Sequence, residues 1–435
     1  MKILFVEKRT RTDKLGILYL ARILSDAGHS VDLIQTDLDN IDEYMEKNFP
    51  DFVMYSVMSA EKNWFLKTNR ELKNKYPAFQ FISVMGGPHF TFFPEEGMED
   101  DYIDFVVQGP GEGVILDIVE GRIKDKFVIG HLPDINSLPE PKRDILYKYD
   151  EFGKSRMKRF IAGRFCLYSC TYCFNHLFKK LYRDEKGMFF QRNSPERMIE
   201  EIKHVKEQFG LELVYFNDDD FAANSEWLEI FCDKFKPLGL EFCGSIRASS
   251  VNYDTLKMMR DAGCTFMNIA LESANPVTQR FLRRGFVTNE QISNATKWSE
   301  ELGIKIRLQN MVGLPVEDPL KDALETLEMN QKINPTDSWA SIFQPFPRTD
   351  LWQFCIDNNI IDGKTDTGDF FKHTVLKIKD ADKIDRLQKL WFFAVKNQLP
   401  IDLVKVLIEL PYTEEQLQKI QDIRWDIGKK ILYGI

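Results

Sequence analysis

Three cysteines stand within eight residues: Cys166-Leu167-Tyr168-Ser169-Cys170-Thr171-Tyr172-Cys173. Thiolates are soft ligands, and three on one short loop can surround a soft metal centre. A structural zinc site takes four ligands in a tetrahedron, and His176, three residues after Cys173, could serve as the fourth. Iron–sulfur clusters are also held by Cys thiolates, normally four. Three thiolates on a cube of four irons leave one iron open to a ligand, which turns an electron store into a reactive centre. The other cysteines, Cys232, Cys243, Cys264 and Cys355, are scattered; an odd total of seven fits a reducing compartment better than a disulfide framework.

Further polar groups fall at the ends of apolar runs. Phe216-Asn217-Asp218-Asp219-Asp220-Phe221 carries three successive acids, which repel one another and call for a cation, while Asn224 or Ser225 can cap the helix that follows. Arg247 follows Phe242–Ile246, and a salt bridge to Asp218–Asp220 is one reading of it. Glu272-Ser273 ends the apolar stretch 266–271. Asn310-Met311-Val312-Gly313-Leu314-Pro315-Val316-Glu317 and Gln344-Pro345-Phe346-Pro347-Arg348-Thr349 are turns shaped by Gly and Pro.

The elements that position these groups alternate in type. Strands are expected at 159–163, 213–217, 242–246, 266–271, 305–311 and 339–343, with helices at 195–208, 225–235, 253–261, 289–302 and 320–333. Six β/α units fall short of the eight that close a barrel, and chemistry in such barrels sits at the carboxyl ends of the strands. Residues 1–118 show a second alternation. Strands are expected at 2–6, 31–34, 52–56, 81–85 and 102–107, several ending in glycine turns such as Gly86-Gly87-Pro88, the pattern of a doubly wound domain. Pro133, Pro139 and Pro141 mark an extended linker. From about Asp380 the apolar spacing is helical and reads as a cap on the barrel. Phe370-Phe371 and Trp391-Phe392-Phe393 read as core packing.

The 435 residues allow about three domains. With 43% hydrophobic and 29% charged residues the chain is an ordinary globular one, not a disordered, collagen-like or disulfide-scaffold chain. A net charge of −9 argues against broad nucleic-acid binding. No apolar run is long enough for a membrane span, and the start, Met-Lys-Ile-Leu-Phe-Val-Glu-Lys-Arg, reads as a first strand rather than an export signal.

The C-x3-C-x2-C spacing, with an aromatic before the third Cys, resembles the radical S-adenosylmethionine (radical SAM) superfamily. The resemblance implies that Cys166, Cys170 and Cys173 hold a [4Fe–4S] cluster and that SAM binds the open iron and is cleaved to a 5′-deoxyadenosyl radical. It places Tyr172 against the adenine, and Asp218, Asp219, Arg247, Glu272, Ser273, Met311 and Gly313 around SAM. Arg348 stands where the family's P-x-P-G-T turn has Gly. Upstream, Leu15-Gly16-Ile17, Tyr55-Ser56-Val57-Met58-Ser59, Gly86-Gly87-Pro88-His89 and Gly109-Pro110-Gly111-Glu112 resemble the cobalamin-binding Rossmann domain of the cobalamin-dependent members. Gly16, Ser56, Ser59, Gly86, Gly87, His89, Gly111 and Glu112 are the implied cobalamin contacts. The D-x-H-x-x-G motif is absent, so cobalt would lack a lower His from it, and Pro110 replaces a Glu of the usual G-E-G-E.

The implied α/β architecture is an N-terminal Rossmann-like cobalamin-binding domain (1–130), a linker (131–154), a partial (β/α)6 TIM-type radical SAM barrel (155–360) and a C-terminal helical domain (361–435). The implied function is methylation of an unactivated carbon or phosphorus centre. Radical rearrangement, cyclisation or oxidation is the alternative, and a non-catalytic iron–sulfur electron-transfer protein the alternative of another class. The implied setting is the cytoplasm, with a small natural-product or lipid-like substrate, a reductant such as flavodoxin or ferredoxin, and no nucleic acid. The resemblance names no catalytic hydrogen donor.

Overall fold

The computed structural model describes residues 1–10, 12–78, 80–188, 190–363 and 369–433. By contacts the chain divides into two units: residues 1–160 with 184–212, and residues 161–183 with 213–435. These boundaries differ from those read in the sequence. Residues 131–154 and 195–209 count with the first unit, and the C-terminal helices with the second.

The first unit runs β1 (Lys2–Glu7), α1 (Leu15–Asp26), β2 (Ser30–Gln35), α2 (Ile41–Asn48), β3 (Phe52–Ser56), α3 (Lys62–Lys75), β4 (Ile82–Gly86), α4 (Pro88–Phe92), α5 (Pro94–Met98), β5 (Phe105–Gln108), α6 (Ile115–Val119) and β6 (Phe127–Ile129). The six strands form one parallel sheet in the order β2-β1-β3-β4-β5-β6. Strands buried on both faces read as continuous apolar runs, and Leu4, Val6, Val53, Tyr55, Met85 and Val106 build the core with Phe65 and Phe90 from the helices. The strand order reverses between β1 and β3, which makes the crevice beyond their carboxyl ends the expected ligand site.

The stretch read as an extended linker contains two helical turns, α7 (Asp144–Tyr147) and α8 (Asp150–Gly153), before β7 (Met157–Phe160). They form because Arg143 is buried at the start of α7. Its guanidinium pairs at 2.7 Å with Glu201, donates to Tyr147 Oη at 2.7 Å, and lies 3.6 Å from Asp13. A buried charge must be paired, so this network fixes the segment.

Next come β8 (Gly163–Arg164), α9 (Phe174–Leu181), β9 (Gln191–Arg192) and α10 (Pro195–Phe209). The second unit continues with β10 (Leu213–Phe216), α11 (Ser225–Phe235), β11 (Glu241–Ile246), α12 (Tyr253–Ala262), β12 (Cys264–Glu272), α13 (Pro276–Phe281), α14 (Asn289–Glu301), β13 (Lys305–Val312), α15 (Pro319–Ile333), β14 (Asp337–Ile342) and α16 (Asp350–Asp357). Strands β10 to β14 are parallel neighbours in sequence order. Asn224 caps α11, accepting from Trp227 N at 2.9 Å. The chain ends in α17 (Ala381–Lys396), α18 (Ile401–Glu409) and α19 (Glu414–Tyr433). The α17 helix has no separate core: Ile384, Leu387, Trp391 and Val395 pack with Val312, Leu327 and Ile342. Trp391 is core as expected, whereas Phe370 is exposed. Among the described residues no helix is long and apolar enough to cross a membrane.

Candidate functional site

The cysteine loop is held on all sides. Phe165 takes a left-handed backbone (φ 67°) just before Cys166. Thr171 N donates to Leu282 O at 3.2 Å, and Leu351 N donates to Thr171 O at 2.9 Å. Lys179 Nζ reaches back from α9 to the carbonyls of Leu167 and Tyr168. Cys173 immediately precedes α9, where the helix dipole favours a thiolate.

Cys166, Cys170 and Cys173 all line one cavity of about 350 Å³. Cys166 and Cys170 are buried and Cys173 half-buried, and all three are free thiols. Burial pushes the Cys173 thiol up to about 11, a cost that metal binding must offset because thiolate is the ligand form. Among the described residues no group of three His, Cys, Asp or Glu converges on a single ion. Thiolates that each take a different iron need not converge, so the loop fits a cluster better than zinc. His176 faces elsewhere, 3.1 Å from Asp350 and 3.3 Å from Arg283. Among the described residues no fourth cysteine and no histidine lines the cavity.

Strand ends supply the other walls. Asp218 accepts from Ala162 N at 2.9 Å. Asp220 accepts from Ser250 Oγ at 2.7 Å and from Arg247 N at 3.3 Å, which leaves Asp218 and Asp219 as the acids on the cavity wall. Burial raises the Asp219 carboxyl, against the pull of Asn175 and Arg247. Arg247 lies in the wall, its Nη2 donating to Cys166 Sγ at 3.0 Å.

Glu272 also faces the cavity, with its backbone at φ 65° and a register shift between Ala270 and Glu272. Such an irregularity re-aims a side chain at a strand end, and strain of this kind gathers at functional sites. The Tyr172 hydroxyl donates to Glu272 Oε1 at 3.0 Å, and Arg284 Nη1 donates to the Tyr172 oxygen at 3.2 Å. Burial raises the Glu272 carboxyl, with Arg284 and Tyr172 opposing it.

Three expected SAM residues are not brought to this cavity. The Ser273 hydroxyl donates to Asp322 at 2.9 Å in a buried network with Thr278. Gly313 turns its missing side chain toward Ile384, 3.2 Å from where a Cβ would stand. Met311 packs in the apolar cluster beside Tyr172. Arg284, by contrast, was not singled out in the sequence. It follows α13 in the twin Arg283-Arg284 and carried no motif, yet it offers the cavity a buried cation.

The sheet of the first unit presents its own set. Gly87 sits at φ 88°, where a Cβ would lie 2.7 Å from Val57 N and 2.8 Å from Ser56 Oγ. Gly16, at the start of α1, is exposed with nothing within 4 Å. Gly111 has room for little, with Leu20 at 3.3 Å. Gly86 ends β4, and Glu112 is half-buried in the loop after β5. His89 is fully buried, its ring nitrogens 3.2 Å from Ser59 Oγ and 3.3 Å from Glu96, its ring stacked on Phe93. Burial lowers its pKa. Glu7, at the end of β1, is buried beside Lys14, with Oε1 unpartnered. Tight, bare backbone at the strand ends and an orphaned buried carboxylate oxygen at the switch point fit a large polar ligand there.

Residues 1–119 match the B12 binding domain family, and residues 160–329 match the radical SAM superfamily. The chain is a radical SAM enzyme with an N-terminal B12-binding domain. Its cofactors are a [4Fe–4S] cluster, SAM and cobalamin. The chain is 27% identical over 381 residues to an uncharacterized methyltransferase of Pyrococcus horikoshii, covering 80% of this chain and 79% of that protein. It is 23% identical over 438 residues to the anaerobic magnesium-protoporphyrin IX monomethyl ester cyclase of Rubrivivax gelatinosus, covering 92% and 75%. Among solved structures, the cobalamin-dependent radical SAM enzyme OxsB superposes with a TM-score of 0.72 at 16% identity, covering 99% of this chain and 72% of OxsB. The methyltransferase TsrM of Kitasatospora setae gives 0.66 at 16% identity, covering 82% and 78%. At that identity the likeness shows the fold alone.

Proposed function

We propose that this radical SAM enzyme is a cobalamin-dependent methyltransferase acting on an unactivated carbon or phosphorus centre of a small natural-product or lipid-like substrate. The observation that carries the reading is one chain joining a B12-binding domain to a radical SAM domain whose three-thiol loop lines a cavity. A methyltransferase among its relatives supports it. When bound, the cluster with SAM supplies a carbon radical and cobalamin a methyl group. The chain's own residues hold and orient these groups. Cys166, Cys170 and Cys173 are the cluster ligands; Tyr172, Asp218, Asp219, Arg247 and Glu272 face SAM, whose ammonium suits the acids and whose ribose hydroxyls suit Glu272. Arg284 joins this set as a cation for a carboxylate. Ser56, Gly86, Gly87 and Gly111 form the floor for cobalamin, Gly16 and Glu112 flank it, and Ser59 with His89 braces that floor from within.

The reductant is a small electron carrier such as flavodoxin or ferredoxin, and the cytoplasm is the compartment, because an open-iron cluster is destroyed by oxygen. The cyclase among the relatives favours a second reading, radical cyclisation without methyl transfer. The anaerobically reconstituted protein, given SAM, hydroxocobalamin and a low-potential reductant, is expected to release 5′-deoxyadenosine. Absence of that product overturns the radical reading. Methyl-labelled SAM separates the two: label in the product means methylation, and 5′-deoxyadenosine with an unlabelled, rearranged product means cyclisation.

A further inference from the structure

We propose that Arg247 sets the reduction potential of the cluster through its N–H···S hydrogen bond to Cys166. The inference rests on the assignment of Cys166 as a cluster ligand. Cluster potentials follow net charge, hydrogen bonds to the sulfurs and exposure. Here the first and third push the potential down. Two of the thiols are buried and the third is half-buried, and Asp218, Asp219 and Glu272 line the same cavity. Adding an electron to a cluster so placed puts one more negative charge among carboxylates in a poorly solvated site, which is costly. A donor cation on a ligand sulfur opposes that cost, and charge-assisted hydrogen bonds are the strong ones.

Arg247 is built to serve as that donor. Nη2 lies 3.0 Å from Cys166 Sγ. The guanidinium carbon stands 3.9 Å from the Tyr168 ring centroid and 5.1 Å from that of Phe286, and those two rings stack on each other at 4.0 Å. The plane of the side chain is thereby fixed, with Tyr168 supplied by the cysteine loop itself. Asp220 lies 3.9 Å from Nε, too far for a hydrogen bond, and two of its own acceptor positions are taken by Ser250 and the Arg247 amide. The charge is therefore not spent on a tight carboxylate pair. Nε and Nη1 are buried without an acceptor, so the donor turned to the sulfur is the one that is satisfied. A surface salt bridge, the plain alternative for an arginine after a strand, would show the reverse pattern.

The test is a redox titration of the reconstituted full chain, without SAM or cobalamin, followed by the EPR signal of the reduced cluster. Iron content is measured in parallel, so that loss of the cluster is distinguished from a shift in its potential. R247Q is expected to hold the cluster and to show about a tenfold smaller reduced-to-oxidised ratio at the wild-type midpoint, a shift of about 59 mV for one electron. R247K, which keeps charge but not the clamped planar donor, falls between the two. A full complement of iron in R247Q with an unchanged midpoint overturns the proposal. Should R247Q not retain iron, wild-type protein labelled with 15N-arginine decides: a 15N hyperfine coupling on the reduced cluster supports the contact, and its absence overturns it.

Discussion

Two groups show how single residues carry a site, half-buried Tyr172 and buried Glu7. Tyr172 stands between two cysteines, and its hydroxyl ties the loop to Glu272 while Arg284 donates to the same oxygen. The ring is free to stack on a ligand while the hydroxyl fixes the Glu272 carboxyl in the cavity wall. Y172F keeps the ring and removes the tie. It is expected to retain full iron and to weaken SAM binding by about 1 kcal/mol, roughly fivefold, the usual worth of one such bond. Equilibrium dialysis with SAM beside an iron assay reads both. Glu7 offers a test on the first unit. Burial raises its pKa from 4.5 to about 7, against the pull of Lys14. A carboxyl raised in the folded state stabilises the fold fully below 4.5, and that contribution is lost as pH rises through about 7. A shift of this size corresponds to about 3 kcal/mol. In denaturant titrations of the cobalamin-free protein, wild type should lose stability from pH 4.5 to 7 more steeply than E7Q, and parallel pH profiles would refute the assignment.

At the scale of elements, the turn between β4 and α4 is the sharpest constraint. G87A must place a Cβ 2.7 Å from the Val57 amide at φ 88°, where neither backbone can yield cheaply. It is expected to cost about 1–3 kcal/mol, read as a lower Tm, and to weaken hydroxocobalamin binding, read in the corrinoid absorbance. G16A meets nothing within 4 Å and begins a helix, so its Tm should be unchanged or higher by the equivalent of about 0.5–1 kcal/mol. Most strands of the two large sheets were legible because buried parallel strands are continuous apolar runs ended by glycine or acid. The turns at 144–147 and 150–153 were not, because the Arg143–Glu201 pair that stabilises them joins residues far apart in sequence. Strand β6 is three residues long, too short for a pattern. The cavity-lining residues were legible where a side chain ends a strand, as at Asp219 and Glu272, whereas Ser273, one residue on, turns to Asp322 because adjacent residues point to opposite sides. Arg348 holds a left-handed backbone (φ 69°), so the departure from Gly in the sixth turn is one of residue and not of turn shape.

Across the whole molecule the seven cysteines divide by environment, and that division decides what can be loaded. None is in a disulfide. Cys232, Cys243, Cys264 and Cys355 are buried, and none of them lines the cavity. Burial raises Cys264 and pushes Cys232 and Cys355 up to about 12, but burial raises Cys173 as well, so what separates the two groups is place rather than acidity. The other three, Cys166, Cys170 and Cys173, line one cavity together, where Arg247 donates to Cys166 and Lys179 holds the loop carbonyls. Seven single Cys→Ala variants, reconstituted anaerobically with iron and sulfide, should therefore fall into two groups with no gradation between them. C166A, C170A and C173A lose the cluster, read as iron per chain and absorbance near the charge-transfer band. C232A, C243A, C264A and C355A keep it and lose only about 1 kcal/mol of stability each, from small packing defects. Loss of iron in C232A at unchanged Tm would mean that a thiol outside the cavity reaches the cluster, and the three-ligand assignment would fall with it.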